Sequence, residues 1–118
     1  MAGHRIFGVS FASIYPHYVT KVTKKGRSQA ELDDLLGWLT GYDAAGLAAT
    51  LADERTLEEF FAQAPALNPG ADLVTGVICG HRVEEIEDPL MRTIRVMDKV
   101  VDELARGKAL AKIQRTPA

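Results

Sequence analysis

The sequence predicts an all-α, compact single-domain bundle of about five to seven short helices. Three observations predict it. Helix-start signals recur: Ser28 with Glu31 and Thr56 with Glu59 have capping-box spacing, and Asn68–Pro69 and Asp88–Pro89 pair a cap with a proline at the first helical position. Glycines follow the apolar runs at Gly26, Gly41, Gly80 and Gly107, where a left-handed residue ends a helix. Apolar residues recur at three- and four-residue spacing, and alternation of period two is confined to "RIFGVSF", where Gly8 weakens it. Strand content is expected to be near zero. With 118 residues, 47% of them hydrophobic and 25% charged, the chain can bury one core without disulfides or metal. A single helical domain over 1–118 is expected, its ends irregular or frayed at 1–9 and 114–118.

Each element has its own warrant. Ser10 or Ser13 starts the first helix. Phe11, Tyr15, Val19 and Val22 form its apolar face, Pro16 falls in its first turns, and Gly26 stops it. Ser28 opens the second, which buries Leu32, Leu35, Leu36 and Leu39 and ends at Gly41. Asp43 caps a short third helix that buries Leu47 and Leu51. Thr56 opens a fourth with Leu57, Phe60 and Phe61, closed by Pro65. After the loop "PALNPG", Leu73, Val74, Val77 and Ile78 read as a short apolar helix ending at Gly80. Asp88 and Pro89 then open the longest helix. Its stripe of Leu90, Ile94, Met97, Val101 and Leu104 runs at 4-3-4-3 spacing until Gly107, and Leu110 with Ile113 mark a last short helix.

A shift of 39 residues lays "LLGWLTGYDAAGL" (35–47) over "VTGVICGHRVEEI" (74–86), with Gly37 on Gly76 and Gly41 on Gly80. This suggests two pseudo-repeated helical hairpins about a twofold axis.

The net charge of −2 is unevenly placed. Residues 1–27 carry five basic and no acidic side chains, 28–88 two basic and thirteen acidic, and 89–118 seven basic and three acidic. The favoured reading is that the basic ends fold against the acidic middle. A basic face for an anionic partner is the alternative. One cysteine, Cys79, excludes a disulfide framework and fits a reducing compartment. "IFGVSFASI" is faintly like a signal peptide but lacks a small-x-small cleavage site. No apolar run is long enough to span a bilayer.

The stretches "SFASIYPHYVTKVTKKGR", "WLTGYD", "FFAQAPALNP", "GVICGHRVEEIEDPLM" and "RVMDKVVDELARGKALAKI" resemble, in this order and over about residues 4–115, the bacterial family known as domain of unknown function 2200. The resemblance implies a compact, mostly helical, cytoplasmic bacterial protein. It brings no catalytic or binding residue with it.

Three clusters are candidates for chemistry. In "GHRVEEIEDPLM", His81 with Glu84 or Glu85 would share a helix face, a spacing seen in metal ligands and acid–base pairs. The structural reading is stronger: Gly80 ends one helix, and Glu84, Glu85 and Asp88 sit where the next helix dipole favours anions. In "WLTGYD", Trp38 and Tyr42 could wall a pocket with Asp43 offering a carboxylate. The structural alternative makes Trp38 core, Gly41 a C-cap and Asp43 an N-cap. In "YPHY", Tyr15, His17 and Tyr18 could shuttle protons, although aromatics at helical spacing are usually core. Tyr18 is kept as a further pocket candidate.

Lys21, Lys24, Lys25 and Arg27, with Arg106, Lys108, Lys112 and Arg115, could meet phosphates, and the helices joined at Gly26 have a helix-turn-helix outline. Glu31, Asp33 and Asp34 at the start of the recognition helix would repel DNA, so nucleic acid is disfavoured. Cys79, just before a stopping glycine, reads as a small buried hydrophobe.

No cofactor is expected. The function expected is a cytoplasmic interaction or regulatory module without catalytic activity, with a protein partner or a homodimer formed through the 90–104 stripe. The alternative is a small-molecule- or metal-binding enzyme centred on His81, Glu84 and Glu85. A weak nucleic-acid binder is third.

Overall fold

The computed structural model describes residues 5–116. Its chain runs through α1 (Phe11–Thr23), α2 (Gln29–Thr40), α3 (Ala44–Ala52), α4 (Leu57–Ala62), a two-stranded antiparallel hairpin β1 (Val77–Ile78) and β2 (His81–Arg82), α5 (Pro89–Ala105) and α6 (Leu110–Ile113). Single 3-10 turns lie at Arg5–Gly8, Pro69–Leu73 and Val83–Glu85. The all-α architecture is as the sequence predicts. No described helix is long and apolar enough to cross a membrane.

The caps fall where their side chains can reach orphan amides. The Ser10 hydroxyl accepts from the Ser13 N–H, and both capping boxes close, Ser28 with Glu31 and Thr56 with Glu59. Asp43 and Asp88 accept from the N–H groups of Gly46 and Met91. Gly26 and Gly41 stop their helices at φ +82°. Pro16 lies deeper than expected, in the second turn of α1, where its missing N–H leaves the helix one bond short.

The core gathers on α5, which packs against α1 and α2. Ile94, Met97, Val101 and Leu104 are buried within the chain, so most of the stripe expected to pair across a dimer is covered by the chain's own helices. Phe11 of α1 stacks on Phe60 of α4 with ring centroids 4.0 Å apart, and Phe61 meets Phe60 edge-on. Burying a side chain of this size contributes roughly 1.5–3 kcal/mol. An isolated antiparallel bridge ties the two helix starts: the Phe11 N–H donates to the Arg55 carbonyl at 3.0 Å, and the Leu57 N–H to that of Val9 at 2.8 Å.

Loop 64–68 crosses the end of α2. The amides of Ala66 and Asn68 donate to the orphan carbonyls of Thr40 and Leu39, both at 3.0 Å. A Cβ on Gly41 would lie 2.7 Å from the Ala66 nitrogen, so glycine serves both the turn and this close approach.

Both ends are tied to the body where they are described, although 114–116 takes no regular secondary structure. Arg5–Gly8 is a 3-10 turn that buries Phe7, and Arg115 forms a two-pronged pair with the buried Glu103 at 2.6 and 2.8 Å. The rest of the expected irregular ends, residues 1–4 and 117–118, lies outside the described residues.

Residues 73–86 overturn the expected helix. Where a helix ending at Gly80 was expected, the one helical turn is Pro69–Leu73, a 3-10 turn. Val77 and Ile78 pair with Arg82 and His81 in a hairpin whose two-residue turn, Cys79–Gly80, has positive φ at both positions. That is the pattern of a type I′ turn, whose twist suits a tight hairpin. The 39-residue repeat dissolves with it, because 35–47 is helix–turn–helix and 74–86 is not. Cys79 is exposed at the tip rather than buried.

Ion pairs also depart from expectation. Lys21 and Arg106 pair with Asp102, Arg95 with Asp98, and Arg115 with Glu103, so the basic ends are neutralised largely by acids of α5. Among the described residues Arg27, paired with Glu31, is the one base from outside 28–88 that pairs with an acid of that segment. The acidic middle keeps most of its charge.

Candidate functional site

The structure brings Trp38, Tyr42 and Asp43 together on a cleft of about 650 Å³. Helix α2 supplies one wall. Gln29, Asp33 and Gly37 lie one turn apart along it, and Asp34 and Trp38 form a second row. The opposite face of α2 buries Leu32, Leu35, Leu36 and Leu39, so core packing fixes which way the wall looks. Helix α3 supplies the floor, with Ala44, Leu47, Ala48 and Leu51 at positions i, i+3, i+4 and i+7. Tyr15 of α1 and Gln114 complete the lining.

Two glycines let the cleft close to this width. A Cβ on Gly37 would stand 3.0 Å from the Tyr42 carbonyl oxygen, so glycine allows the 41–43 turn to fold back across α2. A Cβ on Gly46 would stand 3.1 Å from the Asp43 carboxylate that caps α3.

Tyr42 is both core and wall. Its hydroxyl donates to the Phe60 carbonyl at 2.7 Å, and the Arg55 guanidinium sits 5.9 Å from its ring centre. Asp43 accepts from the Gly46 N–H at 2.7 Å through one oxygen. Trp38 is half-buried, and its indole N–H donates to no described residue.

Tyr15 donates to Asp33 Oδ1 at 2.5 Å and accepts from the Gln29 amide at 2.8 Å. Burial, and then the Asp33 carboxylate, push its phenol up to about 12. Asp34 is exposed and has no partner among the described residues. The cleft therefore carries three carboxylates, Asp33, Asp34 and Asp43, and no basic side chain in its lining.

Tyr18 lies elsewhere. It is buried against α5, where its hydroxyl donates to Asp98 Oδ1 at 2.5 Å, and Arg95 donates to the other oxygen at 3.0 Å. Burial, then the Asp98 charge, raise its pKa far above the ordinary tyrosine value. His17 faces outward in a shallow groove with Lys21, Lys24 and Lys25, so the "YPHY" aromatics form no relay.

His81, Glu84 and Glu85 share no helix face. His81 is exposed on β2 and lines a hollow of about 380 Å³ with Met91 and Arg95. Glu84 lies in the following 3-10 turn and accepts from the Gly76 N–H at 3.0 Å and from Arg82 at 3.3 Å. The Gly76 bond, first, holds its carboxyl below the usual range. Glu84 thus staples the base of the hairpin, while Glu85 is exposed beside it. Among the described residues no group of three or more His, Cys, Asp or Glu side chains is placed to hold a metal ion.

Sequence reasoning missed Tyr15, Gln29, Asp33, Asp34 and the α3 floor as lining. The i, i+4 spacing of Gln29 with Asp33 and of Asp34 with Trp38 was the available signal. It becomes informative once the burial of the leucine face is known.

Fold and cleft together define a small, mostly helical protein with an aromatic-walled acidic cleft. The model of the family described as "Uncharacterized protein conserved in bacteria (DUF2200)" matches residues 5–115, and the chain belongs to that family. It is similar to uncharacterized protein SP1917, whose crystal structure superposes with a TM-score of 0.87 at 39% identity, over 95% of this chain and 92% of that one. No curated protein matches the chain.

Proposed function

We propose that the protein is a small cytoplasmic regulatory module without catalytic activity, which works by holding a small ligand in the cleft between α1, α2 and α3. The observation that supports this reading is the cleft itself. Its volume of about 650 Å³ suits a small molecule, its floor of Leu47, Ala48 and Leu51 is apolar, and a few polar groups converge at one wall. The lining favours holding over chemistry. Tyr15, with its phenol pushed up to about 12, stays protonated at neutral pH and has its proton engaged by Asp33. The exposed free thiol of Cys79 suits a reducing compartment.

Trp38 is the single tryptophan of the chain, so its indole N–H is a unique reporter. Isotope-labelled protein is titrated by NMR with a fragment library containing cationic, neutral and anionic members. Binders are expected to move the Trp38 indole together with Gly37 and Ala48. Binders that move only other regions, no binder at all, or conversion of a bound fragment to product would each overturn the reading.

A further inference from the structure

We propose that the cleft takes a small organic cation, an ammonium or guanidinium head on a short aliphatic body. This rests on the cleft being the binding site and names its ligand class. Three observations lead there.

The first is shape and surface. The cleft is a concavity with an aliphatic floor, Leu47 and Leu51, and an indole wall, Trp38. Such a surface takes an aliphatic stem, and the face of an indole attracts a cation through its quadrupole.

The second is charge. Asp33, Asp34 and Asp43 line the cleft and no Lys, Arg or His does. Some acids outside the cleft are paired, as in Arg55 with Asp53, Arg95 with Asp98 and Arg115 with Glu103, whereas the three cleft carboxylates have no ion-pair partner among the described residues. The surrounding acidic segment is also left largely unneutralised by the basic ends, so the local field favours a positive guest.

The third is unused acceptor capacity. Asp33 engages Oδ1 with Tyr15, and Asp43 engages Oδ1 with the Gly46 N–H. Asp34 accepts from no described residue. A carboxylate has about four lone-pair sites, so each can still accept from an N–H-rich head. An anionic guest would meet three carboxylates and no donor cation. A neutral guest would leave those carboxylates uncompensated as it displaced their water.

The test varies the head on a constant chain: butylammonium, butylguanidinium, butanol and butyrate, each titrated against the full chain with Trp38 fluorescence and amide shifts as readouts. The two cations are expected to bind at the cleft, roughly tenfold or more tighter than butanol, with butyrate weakest. Their affinity should fall as salt is raised. Asp34→Asn, which removes no internal contact, should lower cation affinity about tenfold while leaving butanol unchanged.

Butanol or butyrate binding the cleft as well as the cations would overturn the ligand class while leaving the cleft reading intact. Cations that shift residues 84–88 but not the Trp38 indole would also overturn it, as general attraction to the acidic surface. If the library above finds cleft binders and neither cation is among them, the class fails alone. If nothing binds the cleft in either experiment, both proposals fall.

Discussion

The carbonyl oxygen of Arg115 lies 2.0 Å from where a Cβ on Gly70 would stand. The approach brings the C-terminal segment onto the Pro69–Leu73 turn, and the Glu103–Arg115 pair also holds that segment. Gly70→Ala should therefore destabilise the fold by about 1–3 kcal/mol through forced backbone movement. Gly8→Ala, where the new methyl would meet nothing within 4 Å, is the control and should stay within about 0.5 kcal/mol. Urea unfolding midpoints decide it, and equal midpoints for the two variants would contradict the packing described.

Glu31 links stability to pH. Its carboxyl is lowered from 4.5 to about 2, first by Arg27 and then by the Ser28 backbone N–H. A folded-state pKa below the unfolded one means that the contribution is fully present above about 4.5 and is lost as pH falls toward 2. Denaturation of the native protein and Glu31→Gln should thus differ most at neutral pH and converge in acid. A difference that persisted unchanged at low pH would show that the contribution is not ionic.

Cys79 stands at φ +52° beside Gly80 at φ +81°. Asparagine tolerates this backbone better than cysteine, and Asn-Gly is the preferred pair for such a turn. Cys79→Asn is expected to stabilise by about 0.5–1 kcal/mol. The native thiol, exposed at the tip, should react with a thiol reagent without prior unfolding. Protection until the protein melts, or a destabilised Asn variant, would argue against the hairpin.

Where a side chain had to reach a backbone amide three residues away, the sequence was readable. Ser28, Asp43, Thr56 and Asp88 are caps because the geometry is local. Residues 74–86 were misread because Val74, Val77 and Ile78 fit a helix face as well as a short strand. The deciding fact is the positive φ at Gly76, Cys79 and Gly80. The apparent repeat failed for a related reason. Gly37 is a helical residue that clears the Tyr42 carbonyl, whereas Gly76 is a loop residue at φ +110°. Of the cleft, Trp38, Tyr42 and Asp43 could be found because they bracket a local glycine turn. Tyr15 meets Asp33 only through the packing of α1 on α2, and Tyr18, one turn along, is claimed by α5 instead.

The bridge between Ser10 and Thr56 joins the caps of two helices that are remote in sequence. Each helix start has its amide engaged by the carbonyl of the residue preceding the other's cap. Fraying at either helix start is opposed by a bond to the other segment. The openings of α1 and α4 are thereby coupled into one cooperative unit. Phe11 and Phe60, each next to or within a turn of this clasp in sequence, stack on one another inside that same unit.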